Sequence, residues 1–263
     1  MSNITIAPTL RTMSAIYELS REGGPTSVRF RAYVARVEHE WGLVAYNPMA
    51  GSAASESVAL LLAIDAETLM ASTAAHIATQ CECDARMTLA LVVHSAGMWT
   101  DRVATEVDRR VAGKPARVGH GIVSLWSREI LQASDVQRES AAETARVMWT
   151  LLHGAASSVE SVLAREGLAY ALAERIVDAS PYGGAPSGEE RTVVCDALEV
   201  LRGSRHQSDI AGVLYGDSVS ATMGWTTLGI PDHAGYRWAI ERATQCIERV
   251  GAARALREGA STN

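Results

Sequence analysis

Two short apolar runs do most to limit what this chain can fold into. Thr88–His94 (TLALVVH) and His120–Trp126 (HGIVSLW) are the clearest strand-like segments in a sequence that elsewhere follows helical periodicity. Between them lie a polar turn (Ser95–Thr100), a helix (Thr100–Ala112) and a loop (Gly113–Gly119). That connection is long enough for a parallel crossover. Parallel pairing would gather His94, Ser95 and Trp99 with Trp126, Ser127, Arg128 and Glu129 at one edge, where open α/β sheets bind ligands. Antiparallel pairing would instead set His94 beside His120, as a metal or general-base pair. The parallel arrangement is the expected one. The fold class that follows is α+β or α/β, predominantly helical, with a small sheet that includes Thr88–His94 and His120–Trp126.

The 263 residues are read as a single globular domain. The turn-rich stretch Ser180–Gly188 (SPYGGAPSG) is the place for a mobile loop or sub-domain boundary. A net charge of −6 weighs against a nucleic-acid partner, which would call for a basic face. The nearest approach to such a face is Arg109, Arg110, Lys114 and Arg117, which reads as a solvated helix end. The first residues lack the charged-then-apolar order of a signal peptide, and the longest apolar run, Val58–Ile64, is too short for a bilayer. Cys81, Cys83, Cys195 and Cys246 do not suggest a disulfide framework in a chain of this size. A cytoplasmic protein with no membrane partner and reduced thiols is expected.

Lysine usage removes several chemistries. Lys114 is the only lysine, against 23 arginines, and its loop GKPAR has neither a P-loop pattern nor a preceding apolar strand. Pyridoxal-phosphate and Walker-type enzymes are therefore disfavoured. There is no His-Glu-x-x-His, no Rossmann glycine pattern, no EF-hand loop and no paired Glu-x-x-His. Cys81-x-Cys83 with His76 lacks zinc-site spacing. No metal and no cofactor is expected.

The rest of the chain reads as helices. Residues 1–25 form an irregular lead-in with a short helix near Met13–Ser20. A helix from Thr26 or Ser27 to about Glu40 carries Phe30, Tyr33, Val34, Val37 and Trp41 on one apolar face. One long helix runs from Ser52 or Ser55 to about Gln80, with Asp65 partly buried beside Leu61, Leu62 and Leu69. Further helices are expected over Ala141–Ala164, Leu168–Ala179, Glu189–Arg202 and Gln207–Leu214, and from an Asp232 cap to about Arg257.

The candidate site follows from the parallel topology. His94 would be the general base, with Ser95, Asp101 and Glu129 completing the acid–base set. Trp99, Trp126 and Arg128 would bind substrate, with Tyr46 and Asn47 from the irregular loop Gly42–Gly51. Val93-His94-Ser95-Ala96-Gly97 has one small residue of the nucleophile-elbow pattern but places Val93 where a second is needed, so Ser95 reads better as a turn residue. The expected function is a small-molecule enzyme using cofactor-free acid–base chemistry, of lyase, isomerase or hydrolase type, in a His/Trp/Tyr-lined pocket. The alternative is a non-catalytic helical binding or assembly protein, and a homo-oligomer is compatible with either.

Overall fold

The computed structural model describes residues 3–21, 25–36, 46–95, 101–111, 118–127, 131–178 and 180–259. In chain order the elements are β1 (Asn3–Ala7), α1 (Thr9–Arg21), α2 (Thr26–Arg36), α3 (Ser52–Ala63), α4 (Ala66–Gln80), β2 (Arg86–His94), α5 (Arg102–Val111), β3 (His120–Trp126), α6 (Ala133–His153), α7 (Val159–Glu174), α8 (Gly188–Leu201), α9 (Gln207–Tyr215), α10 (Asp217–Thr222), α11 (Ala234–Val250) and α12 (Ala252–Glu258). The fold is predominantly helical around a small parallel sheet.

The strands run in the order β1-β2-β3, all parallel. Asn3 pairs with Arg86 and Ala7 with Ala90; Thr88 pairs with His120 and His94 with Trp126. β2 is central and buried on both faces, which accounts for its nearly unbroken apolar run. β3 alternates instead, with Gly121, Val123 and Leu125 buried and Ile122, Ser124 and Trp126 half-buried. Gly121 faces α6, where a Cβ would lie 2.7 Å from Val147 Cγ2, so only glycine lets this strand sit so close to the helix. At Ile122 the outer edge of β3 is closed by side chains. Arg109 Nη2 donates to the Ile122 carbonyl at 2.6 Å, and the Ile122 N–H donates to Glu143 Oε1 at 3.1 Å. Edge groups satisfied this way offer no template to another strand.

Several expected elements differ. β1 and a full α1 occupy what the sequence presents as an irregular lead-in. The single long helix is two, α3 and α4, bent by 64° at Ile64–Asp65. Asp65 takes a left-handed conformation (φ 51°) there and is exposed, not partly buried. Glu67 does the polar work instead, accepting from the Leu10 N–H at 2.9 Å at the start of α1. α2 buries none of its residues, and Phe30 is 53% exposed, so the expected inward face is not buried; Val37 and Trp41 lie outside the described residues. Gly154 (φ 78°) divides the expected Ala141–Ala164 helix, and Ser158 caps α7 by accepting from Ser161 N. Gly251 similarly separates α11 from α12. Asp232 does not cap α11, since its Oδ1 accepts from Ser218 N and His233 holds the cap position.

α7 is the axis of the helical half. It is buried along nearly its whole length and packs against α6 and α11. Gly235 permits the tightest crossing, because a Cβ there would fall 1.9 Å from the Val213 carbonyl oxygen of α9. α6 in turn packs on β3 and α4, so sheet and bundle share one apolar core from Ala7 to Leu256. That core includes residues on both sides of 180–188. Among the described residues no single helix is long and apolar enough to cross a membrane, although α3 and α4 together reach that length and composition across their bend.

Candidate functional site

The carboxyl ends of β2 and β3 meet, as parallel pairing requires. His94, the last residue of β2, is buried, and its Nε2 lies 2.9 Å from Ser124 Oγ on β3. Ser124 pairs in register with Val92, so the contact runs diagonally across the two strands on one face of the sheet. The Trp126 ring stands beside the imidazole, its centroid 5.2 Å away. The Arg102 guanidinium, on an exposed side chain at the start of α5, lies 5.6 Å from the Trp126 ring and pairs with Glu106 at 3.0 Å. Burial, with the nearby Arg109 charge second, pushes the His94 pKa down to about 4, so the ring is neutral at neutral pH. A neutral imidazole bonded to a hydroxyl can accept or pass a proton.

The other expected site residues divide into three groups. Ser95 directly follows β2 and is half-buried, while Asp101 is exposed and caps α5, with Oδ1 accepting from Ala104 N at 2.7 Å and its carbonyl from Thr105 N. A carboxylate committed to a helix end is a weak candidate for proton transfer. Tyr46 and Asn47 belong to the packing of the N-terminal helices. Tyr46 is buried edge-on against Tyr17 and Tyr33, the Asn47 carbonyl accepts from Tyr17 OH, and Asn47 Oδ1 accepts from Met49 N. Trp99, Arg128 and Glu129 lie outside the described residues, as do Thr100, Lys114 and Arg117. The parallel register puts His120 opposite Thr88, six residues from His94's partner, or about 20 Å at strand rise. That removes the His94/His120 pair.

A buried polar cluster that no sequence motif announces lies between the helices. Arg109 and Arg110 are not a solvated helix end; both guanidinium groups turn inward. Arg110 reaches Glu139 at 3.6 Å and Glu166 at 3.8 Å and lies over the Tyr170 ring. Glu166, fully buried on α7, also receives Arg146 and Arg165 at 2.9 Å each. Burial alone would raise this carboxyl, but Arg146, Arg165 and Arg110 hold it down at about 2. Around them Tyr170, Tyr182, Tyr215 and Tyr236 pack ring to ring, with Tyr182 stacked on Tyr236 at 4.0 Å and beside His233. Every charge here has a protein partner, and the cluster joins α5, α6, α7, α9 and α11 through a polar core. No local motif encodes it, because an arginine or glutamate on a helix has the same spacing whether it faces water or a partner helix.

A cavity of about 410 Å³ opens where residues 180–185 approach α11, bordered by Glu174, Asp178, Arg237 and Glu241. Its two best-placed charges are already engaged. Arg237 pairs with Glu190 and donates to the Tyr182 and Asp232 carbonyls, and Glu241 pairs with Arg191 at 2.6 Å. No group of three His, Cys, Asp or Glu side chains among the described residues is placed to hold a metal ion. Comparison of the chain with protein-family models, with curated proteins and with solved structures returned no match.

Proposed function

We propose that this chain is a small-molecule enzyme carrying out acid–base chemistry, of lyase, isomerase or hydrolase type, at the carboxyl ends of β2 and β3. The observation behind this reading is the His94–Ser124 contact at 2.9 Å, flanked by the Trp126 ring. A buried imidazole with a depressed pKa is neutral over the whole physiological range, so it serves as hydrogen-bond partner and proton acceptor, not as a standing cation. Arg102 supplies an exposed positive charge beside Trp126 and suits a substrate carboxylate or phosphate, the role expected of Arg128. The sequence adds no pyridoxal lysine, P-loop or Rossmann signature, so the reaction is assigned to side chains alone.

Incubating the purified protein with a low-molecular-weight metabolite extract and following depletion by mass spectrometry tests this. At least one metabolite should be converted by the wild-type chain and spared by a folded His94→Gln variant. Conversion that survives in the variant, or no conversion at all, would overturn the proposal.

A second reading, assembly through a helix face, draws on α2. Val28, Phe30 and Val34 on it are all exposed. A mass that rises above 28.1 kDa on concentration and returns to it in a Phe30→Ser variant would support that role.

A further inference from the structure

We infer that Ser124 is a nucleophile, and that the reaction at this site is acyl transfer from an ester to water. The inference rests on the acid–base reading above and goes beyond it by naming the attacking atom and the substrate class. Ser124 is half-buried on an edge strand of the sheet, and its hydroxyl meets the imidazole across the face. Its Oγ lies 2.9 Å from His94 Nε2, within the distance at which a base takes a serine proton. The neutral ring carries one unprotonated nitrogen, a role assigned here to Nε2, whose lone pair then receives the proton. Ser95, the serine next to the same histidine in sequence, has no such contact among the described interactions.

The steps balance without any redox partner. The Ser124 Oγ–H bond breaks as its proton passes to His94 Nε2, and Oγ bonds to the ester carbonyl carbon, whose π electrons move to the carbonyl oxygen. Collapse of that adduct breaks the carbon–alkoxide bond, and the departing alkoxide takes the proton from Nε2. Water then repeats the sequence on the acyl-Ser124 ester, releasing a carboxylic acid and restoring the hydroxyl. The Arg109 charge near His94 opposes the imidazolium formed midway, so acylation should be slow and most evident with good leaving groups.

The test is covalent labelling of the intact protein with a fluorophosphonate, which releases fluoride on bonding to an activated serine, followed by peptide mapping. One adduct on Ser124 is expected, with a labelling rate at least about 100-fold lower in His94→Gln, the scale of a lost general base. Hydrolysis of 4-nitrophenyl acetate should fall in parallel in Ser124→Ala. No adduct, an adduct on Ser95 or another serine, or an unchanged rate in a folded His94→Gln protein would each overturn the assignment. Metabolite conversion that needs His94 but persists in Ser124→Ala would overturn the nucleophile while leaving the acid–base reading standing.

Discussion

If His94 is buried in its neutral form, the protein should lose stability over a pH window where an exposed histidine would cost it nothing. In the unfolded chain His94 titrates near 6.5, and in the fold near 4. Between those values the unfolded state binds the extra proton, so stability is complete above about pH 6.5 and falls as pH drops toward 4. At 1.36 kcal/mol per unit, the full displacement is worth about 3 kcal/mol, of which about 2 kcal/mol is lost by pH 5. His233, also pushed down by burial, and the lowered carboxyls of Glu166, Glu190 and Asp232 contribute to the same acid limb. Comparison with His94→Gln cancels these shared contributions. Urea denaturation at pH 7 and pH 5 should therefore show the wild-type protein losing about 2 kcal/mol more than the variant. Parallel losses in the two proteins would mean that His94 titrates like an exposed histidine, and would refute the buried neutral ring on which the site depends.

Three further outcomes test the frame around the site. Glu166→Gln removes the carboxylate that Arg110, Arg146 and Arg165 share, and should cost about 3–5 kcal/mol by urea denaturation at neutral pH; a loss under about 1 kcal/mol would show that the charges are not interdependent. Gly235→Ala forces a Cβ to within 1.9 Å of the Val213 carbonyl oxygen and should lower thermal stability by about 3 kcal/mol or more, whereas Gly203→Ala, with nothing within 4 Å, should leave it near wild type. Glu143→Ala leaves the Ile122 N–H without its acceptor at the sheet edge, so hydrogen exchange at that amide should accelerate by about tenfold or more; unchanged exchange would contradict the side-chain closure of β3.

The central β-helix-β unit was legible because each of its parts carries its own local signal. An apolar run, a polar turn, a helical stretch long enough for a crossover and a second run suffice to place β2, α5, β3 and their parallel pairing. Helices α8 and α9 were similarly readable, expected over Glu189–Arg202 and Gln207–Leu214 and found at Gly188–Leu201 and Gln207–Tyr215. β1 was not, because five residues with only Ile4 and Ile6 in alternation are weak evidence until Asn3 is seen against Arg86, more than eighty residues later. The bend at Asp65 lacks both glycine and proline, whereas the break at Gly154 was visible in principle from that glycine and the Ser157-Ser158 pair soon after it, of which Ser158 caps the next helix. At the site, His94 and Trp126 follow from strand ends alone. Ser124 does not, since only the register of the two strands tells which alternate residue of HGIVSLW comes to the imidazole. The Arg110–Glu166–Tyr170 core was hidden for the same reason on a larger scale, being set by how α5, α6 and α7 turn toward one another.

The location of the site is tested most directly by hydrogen–deuterium exchange with and without a saturating low-molecular-weight metabolite extract. Protection should concentrate in peptides covering residues 92–95 and 122–127, the strand ends that carry His94, Ser124 and Trp126, and should be lost in His94→Gln. Protection confined to residues 174–178, 180–185 and α11, around the cavity bordered by Arg237 and Glu241, would contradict the account and move the functional site there.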